Sequence, residues 1–355
     1  MSVLNKIREN VRLAPLTTFK IGGNARFFIE AESTEDIIET VEFAEKNNFD
    51  IFILGGGSNI LIADEGFDGV VLQIATKGID ITGENGCYFV TAQAGEDWDE
   101  FVEFCVRRNL AGLECLSGIP GFVGGTPIQN VGAYGQEVSE TITNVRVYDR
   151  KTKNILELSN EECGFEYRQS IFNTTEKSRF IILAVTYKLE KDGMPKIIYA
   201  DLQKFFRGQN PALRDVREAV KKIRESKGML VRQAGFDSQS AGSFFKNPVI
   251  SDEQFAEIEN IARKLRLIGE DEKIPFYPAG ENLKKIPAAW LIEKTGFAKG
   301  YTNGNAGLSS KHTLALTNRG EAKAADILNL QKEIEIKIKN LFGIELKPEP
   351  NFIGF

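Results

Sequence analysis

The segment running Gly118-Ile119-Pro120-Gly121-Phe122-Val123-Gly124-Gly125-Thr126-Pro127-Ile128-Gln129-Asn130-Val131-Gly132-Ala133-Tyr134-Gly135 constrains this chain more than any other. It packs six Gly and two Pro into eighteen residues, a composition that makes neither a helix nor an ordinary strand. Its Ile, Val, Phe and Tyr make it apolar enough to be buried, whereas a flexible linker would be polar. Buried irregular backbone must find partners for its N–H and C=O groups, and a large planar or diphosphate cofactor lying on it would supply them. A second cluster, Ile53-Leu54-Gly55-Gly56-Gly57-Ser58-Asn59-Ile60-Leu61, has three adjacent Gly whose N–H groups can converge on an anion, with Ser58 and Asn59 adding polar atoms. The same string also suits a tight hairpin turn. It is neither GxxxxGK[ST] nor GxGxxG, because position 60 is Ile, which argues against a P-loop or a Rossmann dinucleotide site.

A length of 355 residues implies two or three cores. Ser33 to Asp36 reads as a helix cap, followed by Ile37, Val41 and Ala44 on one face; Ile51 to Leu54 reads as a buried strand. A second amphipathic helix spans Asp97 to Arg108. Val70 to Ile74, Tyr88 to Ala92, Ile142 to Tyr148 and Phe180 to Leu189 are strand-like. Asn210-Pro211 opens a helix carrying Val216, Val220 and Ile223, and the polar stretch from Gly228 to Ser243 places a boundary near 228. Beyond it, Ser251 caps a helix, Pro287 to Lys294 is a short one, and Glu321 to Phe342 is the longest, closed by Gly343. The tail from Ile344 is extended and Pro-broken. Runs of strands followed by runs of helices predict an α+β chain.

The formal charge of −6 and the absence of a basic block argue against a polynucleotide partner. No run of eighteen apolar residues and no apolar leader segment occurs, so the expectation is a cytoplasmic protein without a membrane partner. Four widely spaced cysteines and a single His exclude zinc ribbons and most His-built metal sites, and the expected metal count is none. Proton chemistry must then use hydroxyls, carboxylates, Lys or Tyr.

The two glycine clusters, preceded by Thr17-Thr18-Phe19-Lys20-Ile21-Gly22-Gly23, resemble the flavin-binding half of the bacterial UDP-N-acetylenolpyruvoylglucosamine reductase family, whose FAD fold is of the vanillyl-alcohol oxidase and p-cresol methylhydroxylase type. The resemblance continues through Gly164 to Phe172, Ala241-Gly242-Ser243-Phe244-Phe245-Lys246-Asn247-Pro248, Ala288 to Ile292 and Pro348 to Gly354, in the family's order. It implies an FAD-binding subdomain over 1–69, a second over 70–227, and a C-terminal α+β substrate-binding domain over 228–355 whose tail returns to the active site. It also implies FAD as cofactor, NADPH as hydride donor, and reduction of the enolpyruvyl ether of UDP-N-acetylglucosamine in peptidoglycan precursor synthesis. Hydride would pass through flavin N5 to substrate C3, and C2 would take a proton. An oxidase of the same fold, or a binding protein with a vestigial flavin site, would not need AGSFFKNP and PEPNFIG. Members of this fold that attach FAD covalently usually do so through a His in the flavin domain; here no His precedes His312, so FAD is expected to be noncovalent.

Residue by residue, the resemblance assigns catalysis to Arg168, Ser243 and Glu349. Arg168 is suited to bridging a carboxylate and stabilising enolate charge, Glu349 works with it, and Ser243 gives the proton to C2. Pro350 follows Glu349 where the family more usually has a β-branched residue. The implied FAD contacts are Gly55, Gly56, Gly57, Ser58, Asn59, Pro120, Gly121, Gly124, Gly125, Thr126, Gln129, Asn130, Gly132, Ala133 and Tyr134. Tyr199, Lys227, Lys246 and Asn247 are implied to hold the UDP-sugar, with Arg224 nearby. His312, in a loop entering a strand, is read as structural or at the substrate's edge.

Overall fold

Local signals set most elements, and chain crossings assemble them. The computed structural model describes residues 3–84, 86–230 and 235–355; residues 231–234, within the polar stretch read as a boundary, lie outside that description. The chain divides into two units, one taking in the residues up to Val11, Asn24–Gly57 and Phe67–Ser226, the other Arg12–Gly23, Ser58–Gly66 and Lys227–Phe355.

In the first unit, one sheet runs in the order Arg8–Arg12, Asn24–Ala31, Phe67–Ile74, Ile51–Leu54. Phe67–Ile74 is parallel to both neighbours, with Val70 opposite Phe27 and Ile51. A parallel strand buried on both faces reads as a continuous apolar run, which Val70, Val71 and Leu72 provide, all fully buried. Helix α1 (Thr34–Lys46) makes the crossover, capped by Ser33, whose hydroxyl accepts the Asp36 N–H at 3.1 Å. The second sheet is antiparallel, in the order Asn154–Ser159, Ile142–Asp149, Phe180–Lys191, Cys87–Gln93, Ile79–Glu84. Helix α2 (Trp98–Arg107), capped by Asp97, lays Trp98 and Phe101 against Tyr187, with ring centroids 5.9 and 5.2 Å away. Helices α3 (Ala200–Phe206) and α4 (Leu213–Ser226) form a smaller core in which Leu202, Val216 and Val220 meet Cys115 and Tyr134. Helix α4 begins at Leu213 instead of Asn210 because the Asp215 carboxylate accepts the Ala212 N–H at 3.0 Å and fixes the first turn there.

In the second unit, α5 (Asp252–Lys264) starts at the Ser251–Gln254 capping box. Helices α6 (Ala288–Lys294) and α7 (Ala324–Phe342) share its core, in which Ile258, Leu291, Leu308, Ile327 and Ile334 are buried. Helix α7 starts later than the periodicity from Glu321 predicts. The Asp64 carboxylate accepts the N–H groups of Ala324 at 2.7 Å and Ala325 at 3.2 Å, a cap supplied from 260 positions earlier in the chain. Gly343, at φ +69°, closes the helix as expected.

The Gly55–Gly57 string is not a hairpin. The strand before it joins the parallel sheet, while Ile60–Ile62 after it pairs in parallel with Asn351–Ile353 of the tail. All four cysteines are free thiols. Among the described residues no helix is long and apolar enough to cross a membrane.

Candidate active site

In the first unit the two glycine clusters meet backbone to backbone. A Cβ on Gly56 would lie 2.6 Å from the Gly121 Cα, so no side chain fits there. At Gly55 and at Gly125 an added Cβ would meet nothing within 4 Å, so both present bare main chain to open space. Main chain exposed on two converging loops suits a diphosphate cofactor laid against it, and the donor set present therefore fits FAD.

The 118–135 segment is fixed from within. Gly124 donates its N–H to the Ala94 carbonyl at 2.9 Å, and Trp98 donates to the Gly121 carbonyl at 3.0 Å, next to Pro120. The Thr126 hydroxyl is engaged with the Val123 carbonyl and the buried Tyr187 hydroxyl, at 2.8 and 2.9 Å, so that side chain anchors the loop. Asn130, following Gln129, is buried; its amide donates to Glu137 at 2.9 Å and to the Glu166 carbonyl at 3.1 Å, and its oxygen accepts the Ser139 N–H. Gly132 and Ala133 form a short strand against Gln136–Glu137.

Arg168 sits in a tight turn whose ends, Glu166 and Gln169, exchange main-chain hydrogen bonds at 3.0 and 3.1 Å. Its φ of +57° is a left-handed conformation that non-glycine residues seldom adopt outside functional or strongly held turns. The guanidinium reaches back to the second glycine cluster, Nη2 donating to the Gly132 carbonyl at 2.7 Å, and lies 5.1 Å from the centre of the Tyr167 ring. Tyr199 precedes α3 and packs edge-on against Tyr134 at 5.4 Å between centroids. The first unit thus gathers Arg168, Tyr134 and Tyr199 around the glycine-rich segment.

The second unit gathers the others. Phe244 donates to the Leu314 carbonyl and accepts from the Glu349 N–H, both at 2.8 Å, and Lys246 donates to the Lys347 carbonyl at 2.9 Å. The segments carrying Ser243 and Glu349 are thereby held side by side, joined by an isolated antiparallel bridge between Phe245 and Pro348. Pro350 lies where the tail leaves this pairing for the parallel pairing with Ile60–Ile62, and the N–H groups on either side of it, Glu349 and Asn351, are both donated. A residue without an N–H fits that changeover. Asn59 joins the same assembly: its amide donates to the Glu349 carbonyl at 3.3 Å and its carbonyl accepts from Asn351 at 3.0 Å. The Ser58 carbonyl accepts from Thr18 at 3.5 Å. Asn247 turns its side-chain oxygen to the Ala288 N–H at 2.9 Å, capping α6 where Pro287 has no side-chain oxygen to do so. His312 accepts the Leu314 N–H on Nδ1 at 3.1 Å. Burial pushes its pKa down to about 4, helped by the charges of Lys227 and Lys299, so it is a neutral imidazole at physiological pH.

With this geometry in hand, the chain can be set beside known proteins. It is similar to a UDP-N-acetylenolpyruvoylglucosamine reductase of Thermobifida fusca, 45% identical over 351 residues and covering 98% of each chain. The chain belongs to the UDP-N-acetylenolpyruvoylglucosamine reductase family. A reductase of the same name from Streptomyces coelicolor is 44% identical over 347 residues, covering 96% of this chain and 89% of that one. Residues 25–159 match an FAD binding domain and residues 232–353 match the family's C-terminal domain. The architecture is accordingly a mixed α+β FAD-binding region of the p-cresol methylhydroxylase type followed by that C-terminal domain. A crystal structure of the reductase from Thermus caldophilus shares the fold, with a TM-score of 0.67 at 24% identity over 98% of this chain and 99% of that one.

The sequence patterns set Arg224 only near the residues implied to hold the UDP-sugar and do not single out Arg217; both are buried on α4. Their signal was present: two arginines seven residues apart lie on the face of an amphipathic helix that also carries Val216 and Val220.

Proposed function

We propose that this chain, a flavin oxidoreductase of peptidoglycan precursor synthesis by its family, reduces the enolpyruvyl ether of UDP-N-acetylglucosamine to UDP-N-acetylmuramate in the cytoplasm, with NADPH as donor. When bound, FAD supplies the two-electron transfer from NADPH to the enolpyruvyl double bond. The residues that would hold it noncovalently are the main chain of Gly55, Gly56, Gly57, Pro120, Gly121, Gly124, Gly125, Gly132 and Ala133, with Ser58, Asn59, Gln129 and Tyr134; Thr126 and Asn130 fix the loop that carries them.

Arg168 is positioned by Gly132 and binds the substrate carboxylate, stabilising the negative charge that develops when C3 is reduced. Glu349 orients that polarised group. The Ser243 hydroxyl then delivers a proton to C2, completing the addition of two hydrogens across the double bond. Tyr199, Lys227 and Lys246 hold the UDP-sugar, the two lysine charges suiting its diphosphate, and Asn247 shapes the same loop through its cap on α6.

The observation that supports this reading best is the Glu349–Phe244 hydrogen bond, which joins the main chain of one candidate residue, Glu349, to the neighbour of the other, Ser243. The test is to record the visible spectrum of the purified protein and follow NADPH oxidation with and without the enolpyruvyl UDP-sugar. A yellow protein that oxidises NADPH rapidly only with that sugar present is expected, with the flavin released into the supernatant on acid denaturation. A colourless protein that takes up no FAD overturns the reading, and flavin that stays with the precipitate overturns its noncovalent part.

A further inference from the structure

Gly118 opens the glycine-rich segment, and charged side chains hold both of its main-chain groups. Its N–H donates to Asp99 Oδ1 at 2.6 Å and its carbonyl accepts from Arg224 Nε at 3.0 Å. Asp99 is gripped in turn by Arg217, through both carboxylate oxygens, with the Nη2 to Oδ2 bond at 2.9 Å; the same Nη2 lies 3.2 Å from Glu103. Arg224 also hydrogen bonds Tyr134, near the far end of the segment. Two buried guanidiniums on one helix face carry a large desolvation penalty unless their partners offset it, and the polar contacts of this pair converge on the two ends of residues 118–135.

Gly118 has a φ of +72°, where glycine lacks the steric preference that would hold an ordinary residue in place. The clamp therefore supplies at Gly118 a restraint that the residue's own sterics do not. Burial raises the Asp99 carboxyl, but the Arg217 and Gly118 hydrogen bonds outweigh it and hold the group below its ordinary pKa, so the clamp stays ionised at working pH.

We propose that Arg217 and Arg224 are positioning residues for the cofactor: through Asp99, Gly118 and Tyr134 they hold the segment 118–135 in the shape that receives FAD. The inference rests on the flavin reading above. Neither arginine need touch the cofactor; both act through the loop.

The alternative is that the Arg217–Asp99 pair only stabilises the unit, and a comparison pair separates the two. Arg179 and Asp149 form another two-pronged ion pair in the same unit, at 3.0 and 2.8 Å, sharing no partner with Gly118. The experiment measures the FAD dissociation constant by recovery of flavin fluorescence, and the Tm of the flavin-free form, for Asp99→Asn combined with Arg217→Met, for Arg217→Lys, and for Arg179→Met. The double substitution removes the pair without leaving an orphan charge. It should weaken FAD binding by about tenfold or more, the lower end of what losing a supporting partner behind a bound group costs. Arg217→Lys should fall between it and wild type. Arg179→Met should lower Tm while leaving FAD affinity unchanged. Unaltered affinity in the double variant overturns the proposal, as does an equal loss of affinity in Arg179→Met at equal loss of Tm. If the double variant does not fold, Arg217→Lys and Arg224→Lys decide: weaker FAD binding at unchanged Tm upholds the proposal, unchanged binding overturns it. A wild-type protein that takes up no FAD overturns the flavin reading itself and the proposal with it.

Discussion

The main-chain N–H of Glu349 donates to the carbonyl of Phe244 at 2.8 Å. That bond ties the tail carboxylate to the residue next to Ser243, and the Lys246–Lys347 bond at 2.9 Å secures the same pairing from its other side. Both bonds couple the main chain around Ser243 to the tail around Glu349.

Ser243→Ala should separate the two halves of the reaction. Flavin reduction by NADPH needs no proton at substrate C2 and should keep its rate. Reoxidation by the enolpyruvyl sugar should slow by on the order of 10²-fold or more, the lower end of what general acid catalysis contributes. Rapid-mixing absorbance of the flavin follows each half. Equal slowing of both would make Ser243 a shaper of the flavin site, and no slowing would remove it as the acid.

Arg168→Lys should lower kcat by on the order of 10²-fold with little change in Tm, because an ammonium keeps the charge but lacks the guanidinium's two-pronged fork. Here the fork already reaches the Gly132 carbonyl at 2.7 Å. A point charge does not hold that carbonyl and clasp a carboxylate in parallel. Near-normal turnover in steady-state assays would remove Arg168 from the mechanism.

The neutral His312 makes the fold acid-sensitive. Its pKa falls from 6.5 to about 4 on folding, chiefly through burial, so the unfolded chain binds the proton more tightly than the folded one. Stability is therefore full above about pH 6.5 and is lost as pH drops towards 4, by on the order of 3 kcal/mol from this group. Urea titrations of wild type and His312→Gln at pH 7 and pH 4.5 should show a smaller loss in the variant; equal losses would show that other groups set the acid sensitivity.

Asn247→Ala should cost about 1 kcal/mol of stability, the usual loss of a helix cap, since its side-chain oxygen accepts the first N–H of α6 at 2.9 Å. Asn247→Asp keeps that acceptor and should recover the stability while adding a negative charge where we propose that the UDP-sugar binds. Denaturant unfolding reads the first effect and KM for the sugar reads the second. A raised KM in Asn247→Ala with unchanged stability would reverse the assignment.

What the sequence made legible was what nearby residues determine. Ser33, Asp97 and Ser251 cap α1, α2 and α5 as their spacing predicts, and Gly343 ends α7. Where the partner is distant in the chain, the local pattern was silent. The caps that Asp64 gives α7 and Asn247 gives α6, and the register of Ile60–Ile62 against the tail, depend on residues 260, 41 and about 290 positions apart. The segment 118–135 pointed, by its glycine-rich composition, to a bound group. Its side chains did not announce which of them face inward, and Thr126, bonded to Tyr187 at 2.9 Å, is one that does.

The pairing of Ile60–Ile62 with Asn351–Ile353 also bears on how this protein is born. The chain leaves the ribosome amino end first, and Ile60–Ile62 emerges long before its partner is made. Until Asn351–Ile353 has emerged, a fully apolar strand has open hydrogen-bonding groups along its edge, which is a template for pairing with other chains. Contacts spanning nearly the whole sequence also close slowly. The Asn351–Ile353 strand therefore acts as a latch on a strand made some 290 residues earlier, and a nascent chain that has not yet reached it is the species most exposed to mispairing.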